Sequence, residues 1–278
     1  MSKIIGSVST SHIPAIGGAI AKGLQQEPYW KPFFDAFPPA RDWLHAAKPD
    51  VAVVVYNDHG LNFFLDKMPT FAIGAAGLYT SEDEGWGIPT VPPVQGAPDL
   101  SWAIIEQAVA DEFDVTTCQE MLVDHACTVP LQLMWPAGWE GIRIVPIAIN
   151  TVQHPLPSAR RCLAFGRSIG QAIRAFSQDL NVVVLSTGGL SHQLEGERAG
   201  FLNPEFDDLC LNALINKPEL LTRYSSHEIV ELAGSQGAEI LNWIVGRGIL
   251  GGAAREVVRN YHIPISNTAA ALQVLEPA

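Results

Sequence analysis

Apolar positions along this chain gather into short dense runs. Four of them, residues 4–8, 51–56, 142–149 and 182–185, are rich in β-branched side chains. Runs of that length with no polar alternation predict strands buried on both faces. Between them the apolar positions recur at helical spacing, notably over 102–113 and 162–176, and the stretch 204–248 is predicted to be mostly helical. Strands alternating with helices predict a three-layer α/β/α domain around a largely parallel or mixed sheet. Gly and Pro punctuate residues 71–98, which read as a long surface loop with local turns. With no repeat, linker or composition break, residues 1–278 are expected to form a single domain.

Three of the four predicted strands run directly into a histidine-bearing turn. The turns are Ser9-Thr10-Ser11-His12, Asn57-Asp58-His59 and Ser186-Thr187-Gly188-Gly189-Leu190-Ser191-His192; the fourth strand ends at Asn150. Ligands of open parallel sheets bind beyond the carboxyl ends of the strands. If these strands are neighbours, His12, His59 and His192 converge on one crevice.

Composition narrows the classes. Of the 278 residues 47% are hydrophobic, enough for a deep core. The 29 acidic against 17 basic residues give a formal charge of −12, and no Lys/Arg cluster exceeds Arg160-Arg161. A nucleic-acid partner is therefore not expected. The four cysteines lack CxxC spacing, and no apolar stretch approaches the ~20 residues of a membrane span. The expected location is the cytoplasm, with no membrane association.

Neutral imidazoles at strand ends suit a divalent transition metal, because the backbone fixes each ring's approach. For His12 and His59 the plainer alternative is a histidine capping a turn. Glu239 is the best carboxylate to join them. It opens the segment Glu239-Ile240-Leu241-Asn242-Trp243-Ile244-Val245, apolar around most of a helix, and a buried carboxylate needs a cation, a metal or a proton. Its alternative partner is an arginine such as Arg247. Two histidines and one carboxylate leave half a coordination sphere open, which suits Fe(II) oxygenases better than a closed zinc site. His192, after two glycines, is placed to exchange protons near neutral pH. His125, in Val123-Asp124-His125, has an acidic neighbour to orient it, or is a satisfied core histidine. His45, His154, His227 and His262 are read as structural.

With Asp83-Glu84-Gly85-Trp86-Gly87, Ala233-Gly234-Ser235-Gln236-Gly237-Ala238-Glu239 and Tyr261-His262-Ile263-Pro264-Ile265-Ser266-Asn267-Thr268 added to these turns, the motifs run in order through essentially the whole chain. In them the sequence resembles the class III extradiol dioxygenases, in particular the β (catalytic) subunits of the protocatechuate 4,5-dioxygenase type. The resemblance implies Fe(II) held by His12, His59 and Glu239, His192 as catalytic acid/base, and His125 near the substrate hydroxyls. It implies a contact between Ser266 and a substrate carboxylate, a role that the composition around Ser266 does not suggest. The implied reaction is extradiol cleavage of a catechol-type carboxylic acid by O2, with protocatechuate first and gallate or another dihydroxybenzoate as the alternative. Because the sequence continues only briefly past Thr268, a small helical α subunit is expected to cover the site, in a hetero-oligomer. A zinc-dependent hydrolase and a non-catalytic binding protein on the same fold are the competing classes.

Overall fold

The computed structural model describes residues 1–278, the side chain of Pro264 excepted. The four β-branched runs form β1 (Lys3–Thr10), β2 (Val51–Tyr56), β7 (Arg143–Ile149) and β8 (Asn181–Thr187). The remaining strands are β3 (Phe71–Gly74), β4 (Leu78–Tyr79), β5 (Val94–Gly96), β6 (Thr116–Cys118), β9 (Ala254–Ile265) and β10 (Thr268–Pro277). All join one mixed sheet in the order β4-β5-β7-β2-β8-β1-β10-β9, with β3 paired to β7 and β6 paired to β3. The five strands from β5 to β1 run parallel; β10 and β9 close that edge antiparallel.

Helices cover both faces: α1 (Pro14–Ala21), α2 (Lys31–Phe34), α3 (Phe37–Ala47) and α5 (His125–Met134) on one, α4 (Pro98–Ala110), α6 (Ala159–Ala175), α7 (Pro204–Asn216), α8 (Ser226–Ala233) and α9 (Ile240–Leu250) on the other. β2 shows why its sequence is unbroken Val-Ala-Val-Val-Val-Tyr. Val51, Val53 and Val55 pack with Phe165 and Ile244, while Ala52, Val54 and Tyr56 pack with Ile16, Leu44 and Val129. A strand with core on both faces has no reason to alternate with polar residues.

One expectation needs correction. Residues 71–98 are not a continuous loop, since they hold β3, β4 and β5, and Phe71-Ala72-Ile73-Gly74 is fully buried. β3 is only four residues long, and the surrounding Gly and Pro mask it. It pairs antiparallel with the far half of β7, and β5 takes the near half.

Helix α9 is buried along its whole length and presses on α6 through glycines. A Cβ at Gly166 would lie 2.1 Å from the Val245 carbonyl oxygen and 2.9 Å from the Gly248 Cα. Both obstacles are backbone, so neither yields without moving a helix. Gly166→Ala is expected to destabilise the chain by about 1–3 kcal/mol, as overpacking does. Gly18→Ala on α1, where a Cβ meets nothing within 4 Å, should be neutral or stabilising by up to about 1 kcal/mol. Urea unfolding of both variants checks the pair, and equal midpoints would refute the packing argument.

Candidate active site

The strand order places β2, β8 and β1 side by side, so the turns after them open on one crevice. His12 follows β1 and His59 follows β2, their ring centroids 5.1 Å apart. His192 ends the turn after β8. Glu239 arrives from the opposite direction, at the end of the 3-10 turn Gln236–Glu239 that leads into α9. Its Oε1 lies 3.2 Å from His12 Nε2 and 3.7 Å from His59 Nε2, and its Oε2 lies 4.0 Å from His192 Nε2. His125, the first residue of α5, brings its ring to 4.3 Å from that of His59 and 5.5 Å from that of His12.

Each imidazole is tied from behind. The Thr187 hydroxyl donates to the Ala126 carbonyl at 2.8 Å, so toward His12 Nδ1, 3.0 Å away, it accepts. His59 Nδ1–H donates to Asp124 Oδ2 (3.0 Å), His125 Nδ1–H to Glu84 Oε2 (2.7 Å) and His192 Nδ1–H to the Leu190 carbonyl (2.8 Å). Four Nδ1 protons point outward to oxygen, and the four Nε2 atoms are left for the centre.

Burial and charge act together here. Burial would raise the Glu239 carboxyl, but the facing imidazoles outweigh it and hold the group well below its ordinary value. Burial lowers His12 more than Glu239 raises it. For His59, 24% of whose side chain remains exposed, burial is outweighed by the hydrogen bond to Asp124 and by the nearby Glu239 carboxylate, and its pKa rises to about 10. A proton on His59 thus faces two ionised carboxylates, Asp124 and Glu239.

One backbone donor and one side-chain donor hold the carboxylate. The Gly189 N–H donates to Glu239 Oε2 at 2.5 Å, and Asn57 Nδ2 donates to Oε1 at 3.1 Å. Gly188 has φ +126, and a Cβ there would lie 2.6 Å from Glu239 Cβ, so glycine is required at that position. The alternative pairing with Arg247 does not form. That guanidinium donates to the carbonyls of Leu214, Gly251 and Gly252 at 2.6, 3.0 and 2.8 Å.

The donor set fits a divalent metal. Neutral His12 has no proton left on Nε2, yet that atom sits 3.2 Å from a carboxylate oxygen, a repulsive contact unless a cation lies between them. Ligand bonds of about 2.0–2.2 Å would bring neighbouring donors to such separations. Imidazole nitrogens of His12, His59 and His125 also lie within 4.8 Å of one another, so His125 is a fourth possible donor. Glu239 is the stronger third ligand, because one oxygen faces both His12 and His59 and it alone carries the balancing charge. Glu84, Asp124 and His125 form a second close group, but the carboxylates are already accepting N–H bonds.

Several partners escape sequence reasoning. Asp124 does not orient its neighbour His125. It accepts the backbone N–H and Nδ1–H of His59 and the N–H of Ala126, capping α5, while Glu84 orients His125. Asp58 accepts the N–H groups of Gly60, Leu61, Asn62 and Phe63 and so shapes the loop after His59. Such an Asx turn is readable in Asn-Asp-His-Gly. Asp207, on α7, accepts from Ser191 N–H and Oγ–H (2.9 and 2.6 Å) and from Tyr261 Oη–H (2.7 Å). Burial raises its pKa despite those bonds. Ser266 is not in the cluster. It sits exposed in the β9–β10 turn, where it and Asn267 have φ of 50 and 62, and Thr268 pairs with His192.

A mixed α/β sheet carrying histidines and a carboxylate at its strand ends defines a metalloenzyme-type centre. The chain belongs to the family described as the catalytic LigB subunit of aromatic ring-opening dioxygenase, whose model matches residues 6–271. It is 38% identical over 196 residues to a gallate dioxygenase of Pseudomonas putida, covering 70% of this chain and 57% of that protein. To a 2,3-dihydroxyphenylpropionate/2,3-dihydroxicinnamic acid 1,2-dioxygenase of Photorhabdus laumondii it is 32% identical over 202 residues, covering 72% and 60%. The chain thus spans less than two thirds of the length of these relatives. A crystal structure of the uncharacterized Escherichia coli protein JW3007 superposes with a TM-score of 0.57 at 13% identity, covering 99% of this chain and 100% of that one, a likeness of fold. No helix among the described residues is long and apolar enough to cross a membrane.

Proposed function

We propose that the chain is the catalytic unit of an Fe(II)-dependent extradiol dioxygenase, with residues 1–278 acting as one catalytic domain. The observation that carries this reading is the set of four imidazoles with outward Nδ1 protons around one buried carboxylate. His12, His59 and Glu239 would hold the iron, which would supply an open metal centre for binding a catechol and activating O2. His125 Nε2, buried and without a partner, receives a substrate hydroxyl. His192 Nε2, 4.0 Å from Glu239, takes up a substrate proton and returns it during ring opening. Ser266, in its turn beside His192, meets the substrate carboxylate, and the surrounding loops exclude water. A zinc hydrolase or a non-catalytic binder is disfavoured by the family and by the relatives' names.

The substrate is a catechol-type carboxylic acid. The 38% identity to a gallate dioxygenase favours gallate over protocatechuate, reversing the order expected from the sequence. A small helical α subunit and a hetero-oligomer remain part of the proposal, as does a cytoplasmic setting, with which four unpaired cysteines agree.

Anaerobic reconstitution with Fe(II), followed by oxygen uptake on a substrate panel, tests the reading. One O2 consumed per ring opened is expected, with kcat/KM for gallate at least about tenfold above that for protocatechuate or 2,3-dihydroxyphenylpropionate, equivalent to 1.4 kcal/mol at the transition state. Absence of uptake with every catechol, alone and with a co-expressed small subunit, would refute the function. Faster turnover of protocatechuate would refute only the choice of substrate.

A further inference from the structure

We propose that Glu84 is a positioning residue which fixes the tautomer of His125 and holds the segment between β4 and β5 against the site. The proposal rests on the active-site reading above. Glu84 Oε1 accepts the backbone N–H of His125 and Oε2 accepts its Nδ1–H, both at 2.7 Å. A carboxylate that grips the main chain and the ring of one residue sets side-chain orientation and tautomer together. Nδ1 must carry the proton, so Nε2 presents a lone pair. That atom is buried and without a protein partner, among the rings of His12 and His59. A structural histidine this deeply buried, 1% exposed, would normally be satisfied at both nitrogens.

The same bonds organise the segment. Among the described residues, those from Glu84 are the only hydrogen bonds joining residues 82–90 to the rest of the chain. The second anchor is apolar. Ile88 reaches α1 so closely that a Cβ on Gly17 would lie 2.9 Å from Ile88 Cγ2. Between the anchors stands Trp86, its ring centroid 6.4 Å from that of His125, edge to face, with 60% of the residue exposed. An aromatic plane standing free beside the histidine that faces substrate is an outer wall of the pocket, and Glu84 determines where it stands.

Two variants of the full, metal-free chain separate the two effects. In Glu84→Gln the amide offers one acceptor and one donor group. Both contacts survive only if the His125 proton moves to Nε2. The 15N shifts of His125 should therefore report the inverted tautomer, while hydrogen exchange of residues 81–93 stays within about twofold of the native rate. In Glu84→Ala both contacts vanish. Exchange of 81–93 should accelerate by about tenfold or more, with β2 and β8 unaffected. In the iron-loaded enzyme, Glu84→Gln should lower kcat by about tenfold or more with little change in KM, and Glu84→Ala should also raise KM. Native exchange and native tautomer in Glu84→Ala would overturn the proposal. So would a uniform rise in exchange across the whole chain, which would mark Glu84 as merely structural. If tautomer and exchange respond as expected but no catechol is turned over, Glu84's positioning role stands and the functional reading fails.

Discussion

Glu239→Ala is expected to strip the protein of iron. The variant removes the only carboxylate among the described residues that faces both His12 and His59, and with it the negative charge shared between them. Loss of a residue that merely supports a metal ligand typically costs 10–100-fold in affinity, so loss of a direct ligand should cost at least about 100-fold. Metal content after anaerobic loading and desalting should fall from one iron per chain to background. Glu239→Gln should behave similarly, since it keeps the shape but not the charge. Stoichiometric iron in either purified variant would remove Glu239 from the ligand set and leave the His12, His59, His125 grouping as the alternative.

The pH dependence of loading has a definite sign. In the metal-free chain the His59 pKa is raised to about 10, against an ordinary value near 6.5. Its proton therefore stabilises the folded apo chain fully below about pH 6.5, and that contribution is lost as pH climbs through 10. A metal must displace the proton, so affinity rises with pH across the same window. Removing Glu239 takes away one of the two carboxylates that hold His59 charged.

The sequence made the crevice legible because the backbone itself does the placing. His12, His59 and His192 each follow a strand whose β-branched run is unmistakable, and only the adjacency of β2, β8 and β1 had to be supplied by the fold. Glu239 was legible for another reason, as a charge at the head of a helix with no polar face. What stayed hidden lies at long range. Glu84 meets His125 across 41 positions and Asp124 meets His59 across 65, and no local pattern records such a pairing. Adjacency even misleads, because Asp124 and His125 are neighbours in the chain yet serve different partners. The final hairpin escaped for a compositional reason. Ala269, Ala270 and Ala271 are weak strand formers, yet all three are buried in β10, which pairs with β1 on one side and β9 on the other.

His192→Phe is expected to keep iron and bind substrate while losing most of its turnover. His192 touches neither His12 nor His59, and its Nε2 is 4.0 Å from Glu239 Oε2, beyond hydrogen-bond reach, so the ligand set survives. Phenylalanine fills nearly the same space, and the turn is held independently by the His192 N–H to the Ala233 carbonyl and by Asp207 through Ser191. What disappears is the one Nε2 able to move a proton from this side of the crevice. A positioned acid/base contributes typically 10²–10⁴-fold, so kcat should fall by about that factor while KM changes little. His192→Gln, which restores a hydrogen-bonding group but no titratable one, should recover little. Iron content and circular dichroism at native levels are the required controls. Turnover equal to the native enzyme, at saturating substrate and oxygen, would take His192 out of the mechanism and leave proton transfer to His125.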